Sequence, residues 1–284
     1  MTMAFFNPIL LENAVRAALD EDLGLAGDIT THATIPAPLQ ASAVMVARKG
    51  GVMCGLPLAE AAFRLIDSSL RFEALVEEGA HVAPKTAVCR ITGHARAILT
   101  AERVALNYAC RLSGIATMTA EFVALVAHTN ARICCTRKTT PGLRAFEKYA
   151  VRCGGAMNHR FGLNDAVLIK DNHIAVAGGI REALRAAKAA AGHLVKVEIE
   201  VDTLDQLRVV VDEGADFVLL DNMSVAQMRE AVKIAAGKVK LEASGGINKA
   251  SVKEIAETGV DLISSGALTH SAPILDLGLD IEMG

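Results

Sequence analysis

The second half of this sequence repeats one arrangement: a short apolar run, then residues able to do chemistry. Arg137 and Lys138 follow the run 132–135, and Lys170, Asp171 and Asn172 follow 166–169. Glu200 follows 196–199, and Asp221 and Asn222 follow 217–220. Ser244, Gly245 and Gly246 follow 240–243, and Ser265 and Gly266 follow 262–264. One charged residue after an apolar run means little, because most strand ends are polar. Six in succession are hard to assign to solubility. Their order is also informative. Arg137, Lys138, Arg160 and Lys170 can hold a polyanion, and Glu200 and Asp221 can face a developing positive charge or a metal ion. Glycine-rich turns after the last strands of an α/β barrel cradle phosphate with backbone N–H groups.

The elements that must position these groups follow from the runs themselves. Each is short, apolar and often β-branched, and helical patterns rich in Ala, Leu, Lys and Glu separate most of them. Repeated βα units with right-handed crossovers build parallel sheets or barrels. Close spacing from Lys196 onward favours a barrel over a doubly wound sheet, and six clear strands leave two options, an incomplete barrel or one that borrows a segment. The first part of the chain differs. Residues 8–19 read as an amphipathic helix with Ile9, Val15, Ala18 and Leu19 on its apolar side. Strand-like runs at 43–46 and 86–91 flank a helical stretch at 58–66, which predicts a small α/β domain. Thr100 has the character of an N-cap with Glu102 in the turn behind it. Arg103, Asn107 and Arg111 then form a polar stripe at helical spacing, which reads either as a solvated face or as part of a site.

Bulk properties narrow the function. Apolar residues make up 52% of the 284, enough for a large core and against disorder. The net charge is −3, which does not point to nucleic acid. Residues 132–173 nevertheless hold eight basic and three acidic side chains, a local +5 that leaves −8 for the rest. Such a cluster in an acidic chain focuses a field on a small polyanion. Within it Arg144, Lys148 and Arg152 lie on a predicted helix and read as surface charge. No run reaches roughly 18 uninterrupted apolar residues and no basic leader opens the chain, so no membrane association and a cytoplasmic setting are expected. Cys54, Cys89, Cys110, Cys134, Cys135 and Cys153 form no Cys-x-x-Cys pair, and buried thiols are expected rather than a zinc or disulfide framework. His32, His81, His94, His128, His193 and His270 have no constellation around them and read as structural or surface residues.

Several contiguous stretches resemble the quinolinate phosphoribosyltransferase family. They are 99–107 (LTAERVALN), 111–117 (RLSGIAT), 136–144 (TRKTTPGLR), 147–151 (EKYAV), 158–160 (NHR), 168–173 (LIKDNH) and 219–222 (LLDN). The likeness runs from about residue 8 to about residue 275. Ala156 departs from it, standing where a third glycine is expected after Gly154 and Gly155.

The resemblance implies an N-terminal α/β sandwich domain (1–113, with the tail 271–284 packed on it) and an open α/β, TIM-like barrel (114–270). It implies transfer of phosphoribosyl from phosphoribosyl pyrophosphate to quinolinate with decarboxylation, giving nicotinate mononucleotide, with Mg²⁺ as cofactor. Carried over position by position, Arg103, Arg137, Lys138, Thr139, His159, Arg160 and Lys170 would bind quinolinate and pyrophosphate. Glu200 and Asp221 would face ribose and Mg²⁺, and Lys138, Glu200 and Asp221 would be catalytic. Ser244, Gly245, Gly246, Ser265, Gly266 and Ala267 would hold the 5-phosphate. Glu200 is preferred to Glu198 because it ends its strand, while Glu198 faces the same way one layer deeper. A homodimer is implied, with Arg103 reaching the neighbouring active site. Three other readings compete: a related phosphoribosyltransferase linked to molybdenum transport, a non-catalytic phosphosugar-binding barrel, and an aldolase using Lys170 as a Schiff base.

Overall fold

The computed structural model describes residues 7–282, which fall into two compact units divided after Met118 and again before Ala272. The first unit opens with α1 (Pro8–Leu23) and α2 (Ile29–Thr34). The Asn7 side chain accepts the Ile9 N–H at 3.0 Å and starts α1. The helix runs past residue 19 because nothing breaks it before Gly24, at φ 52°. Val15 and Leu19 are its buried residues, whereas Ile9 is 69% exposed, so the expected apolar side is shorter by a turn.

Strands β1 (Gln40–Ala47), β3 (Arg71–Ala74), β5 (Ala87–His94) and β12 (Leu277–Glu282) form an antiparallel sheet in the order β12-β1-β5-β3. β2 (Gly51–Val52) and β4 (His81–Val82) pair separately. Helix α3 (Leu56–Ile66) packs against α1 and buries Leu58, Ala59, Ala62 and Phe63. Helix α4 (Ala95–Val126) carries the chain out of this unit. Thr100 lies inside α4 rather than capping it. The Ala95 N–H already bonds the Leu39 carbonyl at 2.9 Å, and the Thr100 hydroxyl donates to Asp28 at 3.1 Å. By length and composition α4 could cross a membrane, but over half of its most apolar window is buried in the protein.

The second unit alternates strand and helix: β6 (Arg132–Cys134), α5 (Arg144–Cys153), β7 (Val167–Ile169), α6 (Asp171–Val176), α7 (Ile180–Ala190), β8 (Val197–Val201), α8 (Leu204–Asp212), β9 (Phe217–Asp221), α9 (Val225–Ala235), β10 (Lys240–Ser244), α10 (Val252–Ala256), β11 (Leu262–Ser264) and α11 (Ala267–His270). Its six strands are parallel in the order β6-β11-β10-β9-β8-β7, an open α/β barrel with β6 and β7 as edges. Short side-chain caps set the helix starts; Thr203 with Gln206 and Ser224 with Gln227 form reciprocal capping boxes for α8 and α9.

β8, β9 and β10 run one or two residues further than expected. Glu200, Asp221 and Ser244 are therefore strand residues, not loop residues, and Glu200 is not the last of its strand. Register continues through them: Val201 pairs with Leu220, and Ser244 with Asp221. A polar side chain on the inner face does not interrupt a ladder whose neighbours still bond on both sides.

Candidate active site

A cavity of about 800 Å³ opens at the carboxyl ends of these strands. Parallel register decides what faces it, because cross-strand neighbours share a face. Glu200 pairs with Leu219 and Leu219 with Glu242, so these form one inward row. Asp221 and Ser244 form the next row outward. All five line the cavity.

One wall is cationic. Arg137 and Lys138 come from the turn after β6, His159 and Arg160 from the loop before β7, and Lys170 from the end of β7. The Nε atoms of Arg137 and Arg160 are buried without a hydrogen-bond partner among the described residues. Burial and the neighbouring Arg137 charge lower the pKa of Arg160. Unpaired buried donors are costly, and two like charges add to that cost. A carboxylate placed between them would satisfy both in the bidentate geometry arginine offers.

The loops that carry this wall are held from behind. Glu147 is fully buried and accepts both the Thr140 N–H at 3.1 Å and the Thr140 hydroxyl at 2.8 Å. Lys148, expected on the surface, is 2% exposed; its Nζ donates to the His159 carbonyl at 2.9 Å and to Cys135 Sγ at 3.0 Å. It fixes His159 and the β6 end together. Asp165 accepts the N–H groups of Phe161 and Gly162 and closes the loop beyond Arg160. Ala156, the departure from the family pattern, is buried and lies outside the left-handed region, whereas Gly155 has φ 89°. The position that requires glycine still has it.

The carboxylate wall comes from β8 and β9. Glu200 accepts from Lys170 Nζ at 2.7 Å, and Asp221 accepts from Asn222 Nδ2 at 2.7 Å. Two hard oxygen donors facing one cavity suit Mg²⁺, which takes one or two carboxylates and keeps substrate oxygens and waters for the rest.

The third wall is built of glycines. Gly245 and Gly246 adopt φ 102° and 61°, and a Cβ on Gly245 would stand 2.2 Å from Asn222 Oδ1. Gly266 has an ordinary right-handed conformation, but a Cβ there would meet Lys138 Cδ at 2.8 Å. The Ser265 hydroxyl donates to the Ile247 carbonyl at 2.9 Å and ties the two glycine turns together. Ala267 also lines the cavity.

Thr139 and Arg103 stand apart from this group. Thr139 does not line the cavity, and its hydroxyl accepts Arg144 Nε at 3.0 Å. Arg103 is exposed on α4 in the first unit and is not a lining residue. His270, read from sequence as isolated, does line the cavity, beside Gly266.

Beneath the cationic wall lies a group the sequence reading missed in part. His159 Nε2 is 2.9 Å from Glu198 Oε2 and 3.6 Å from Glu242 Oε1. His159 Nδ1 accepts the Arg160 N–H at 2.7 Å, so the ring proton belongs on Nε2 and goes to Glu198. Burial opposes the imidazolium, but the hydrogen bond to Glu198 and the charges of Glu242 and Glu198 outweigh it and raise the pKa of His159. Donor atoms of the three lie within 4.8 Å of one another, but the His159–Glu198 hydrogen bond already occupies that space. The signal for Glu242 was alternation: it lies two residues before Ser244 on one strand, and so shares its inward face.

Residues 28–113 match the N-terminal domain of quinolinate phosphoribosyl transferase, and residues 115–280 match its C-terminal domain. The chain belongs to the quinolinate phosphoribosyltransferase family. It is 46% identical to the nicotinate-nucleotide pyrophosphorylase [carboxylating] of Mycobacterium leprae over 95% of this chain and 96% of that one. It is 42% identical to a probable enzyme of the same name from Bacillus subtilis, over 98% and 95%. The solved nicotinate-nucleotide pyrophosphorylase of Francisella tularensis superposes with TM-score 0.94 at 39% identity, covering 99% of both chains. The stretches 136–144 and 158–160, which resemble the family, supply Arg137, Lys138, His159 and Arg160 to the cationic wall.

Proposed function

We propose that this chain transfers phosphoribosyl from phosphoribosyl pyrophosphate to the ring nitrogen of quinolinate, with loss of CO₂, giving nicotinate mononucleotide and pyrophosphate for NAD synthesis. The observation that carries this reading is the pairing, in one cavity, of two half-buried arginines, each with a buried Nε that has no partner among the described residues, with a carboxylate wall and two glycine turns. It is supported by relatives named for this reaction across the whole chain.

Quinolinate is a dicarboxylate, and Arg137, Arg160 and Lys138 offer it charge-assisted hydrogen bonds worth about 1.5–3 kcal/mol each. The ring nitrogen is itself the nucleophile, so the site needs no Ser, Cys or His nucleophile, and holding the reactants in line supplies much of the rate. The ribosyl carbon becomes cationic as pyrophosphate departs, as in glycoside cleavage, and Glu200 and Asp221 stabilise that charge. Lys170, bonded to Glu200, fixes the direction of that carboxylate. Gly245, Gly246 and Gly266 let the backbone approach the 5-phosphate. Mg²⁺, held by Glu200 and Asp221, would neutralise pyrophosphate oxygens. His159 acts from below, with both ring nitrogens engaged by Glu198 and the Arg160 N–H. The working form is a homodimer in the cytoplasm, in which the exposed Arg103 of the partner subunit adds a further cation for quinolinate.

The test is turnover of quinolinate with phosphoribosyl pyrophosphate and Mg²⁺, with nicotinate as the control substrate. Nicotinate mononucleotide from quinolinate alone supports the reading. Product from neither substrate refutes it.

A further inference from the structure

The proposed reaction leaves one proton without a source. When CO₂ departs, its bonding electrons stay on the pyridine carbon beside the ring nitrogen, and that carbon must gain a proton. The inner face of the barrel holds a carboxyl group placed for this. Glu242 is 2% exposed, lines the cavity, and sits in the same cross-strand row as Glu200 with Leu219 between them. Its Oε1 is buried and has no hydrogen-bond partner among the described residues.

The groups facing Glu242 favour its protonated form. Glu198 faces it from β8, Cys134 from β6 and Ser264 from β11. His159 faces it from the loop before β7, but its Nε2–H goes to Glu198 and its Nδ1 accepts the Arg160 N–H. No lysine or arginine is paired with it among the described residues. A buried carboxylate beside a second carboxylate holds its proton, and the cation that faces it, His159, stands 3.6 Å away and bonds Glu198 instead.

We propose that Glu242 is the acid that protonates the pyridine carbon after decarboxylation; this rests on the functional reading above. The carbon–carboxylate bond breaks, CO₂ leaves neutral, and the electron pair remains on the ring carbon. The Glu242 O–H bond then breaks and a C–H bond forms. Glu242 is left as a carboxylate and regains its proton from water before the next turnover. Burial and the charge of Glu198 push the carboxyl up to about 7, against the pull of His159 and Ser264. An acid near the working pH transfers a proton most efficiently. Among the cavity's other proton donors, arginine does not release its proton in proteins, Lys170 is committed to Glu200, and His270 and Lys138 are solvent-exposed where Glu242 is buried.

The experiment compares the full-length protein with Glu242→Gln and Glu242→Asp, following nicotinate mononucleotide formation from pH 5 to 9 and quinolinate binding by calorimetry. In the unsubstituted protein kcat falls as pH rises through neutrality. In Glu242→Gln, kcat drops about 10²–10⁴-fold, its pH dependence flattens, and the quinolinate Kd stays within threefold. Glu242→Asp restores part of the rate and the pH dependence. Three results overturn the proposal: Glu242→Gln with unchanged kcat and profile, an unsubstituted profile flat from pH 6 to 8, or one equivalent of metal bound by His159, Glu198 and Glu242. A flat unsubstituted profile overturns the proposal even where Glu242→Gln fails to fold. Absence of nicotinate mononucleotide from the unsubstituted protein is a different failure, that of the functional reading itself.

Discussion

Gly266→Ala separates the geometry of the site from the stability of the fold. At φ −69° and ψ −22° the backbone of Gly266 suits any residue, so an alanine there carries no strain. Removing glycine at a compatible position stabilises by about 0.4–1 kcal/mol through the unfolded chain. The new methyl group, however, would stand 2.8 Å from Lys138 Cδ and 3.0 Å from the His270 ring. Carbon atoms rest about 3.5–4.0 Å apart, so Lys138 must retreat by roughly 1 Å. Misplacing a catalytic group by that much can cost about 10²-fold, which is about 2.7 kcal/mol in the barrier. The expected result is kcat/KM for quinolinate down about a hundredfold with Tm unchanged or slightly higher, measured by product formation and calorimetry. Wild-type kcat/KM would refute the reasoning, because it would mean the Lys138 ammonium reaches its target from a displaced stem. A large fall in Tm would refute it differently, by showing that the turn itself cannot accept a side chain.

The same cavity yields four shorter expectations. Lys138→Ala abolishes turnover while circular dichroism and Tm stay near wild type, because Lys138 is exposed and is held through its backbone, the carbonyl accepting from Thr269 and the N–H donating to Thr136. Gly245→Ala lowers Tm by several degrees, since its Cβ would meet Asn222 Oδ1 at 2.2 Å and its φ is 102°. Lys148→Met destabilises by about 2 kcal/mol in urea titrations, through lost charge-assisted bonds to the His159 carbonyl and Cys135, and lowers kcat because His159 loses its anchor. Stability should also depend on pH through Glu242. Its folded pKa of about 7 exceeds the ordinary 4.5, so the folded state holds the extra proton; the contribution is complete below 4.5 and lost as pH rises through 7. The urea midpoint at pH 8 should then fall below that at pH 5.5 by an amount that Glu242→Gln removes.

Much of the site could be read from the sequence because barrel strands put their chemistry at one end, where apolar runs stop and polar residues begin. That rule needs no tertiary knowledge, and it located Arg137, Lys170, Asp221 and Gly245. It failed where charge is buried. Lys148 sits on α5 among the buried residues Phe146, Glu147, Ala150, Val151 and Cys153, whereas Arg152 of the same helix is exposed. Helical spacing in a charged segment predicts exposure, and only the packed structure reveals the carbonyl that Lys148 holds. Glu242 lies inside β10, one layer below the strand end, where that rule does not reach. Thr100 had the chemistry of a cap, but a backbone bond from Ala95 to Leu39 starts the helix five residues earlier, a partner distant in sequence. The strand ends themselves were placed one or two residues early, because a ladder continues for as long as its neighbours bond.

The order of the chemistry changes between chain and sheet, and the change explains the contacts. Along the chain, cations come first, then carboxylates, then glycines. Across the sheet the order is β6-β11-β10-β9-β8-β7, which places Lys138 beside the Gly266 turn, the Gly245 turn beside Asn222, and Glu200 beside Lys170. Each of these neighbours is separated widely in sequence, and each is in direct contact. Cations therefore stand at both edges of the open sheet, with glycines and carboxylates between them. Arg137 from the β6 side and Arg160 from the loop before β7 are near enough for the charge of one to act on the other. Met157 forms a parallel bridge with Cys134 of β6, so the segment that carries Arg160 runs beside that edge and brings its guanidinium near Arg137. A ligand carrying two anionic groups then meets Arg137, Lys138 and Arg160 on the β6 side and Lys170 on the β7 side, with small residues and carboxylates lining the floor between.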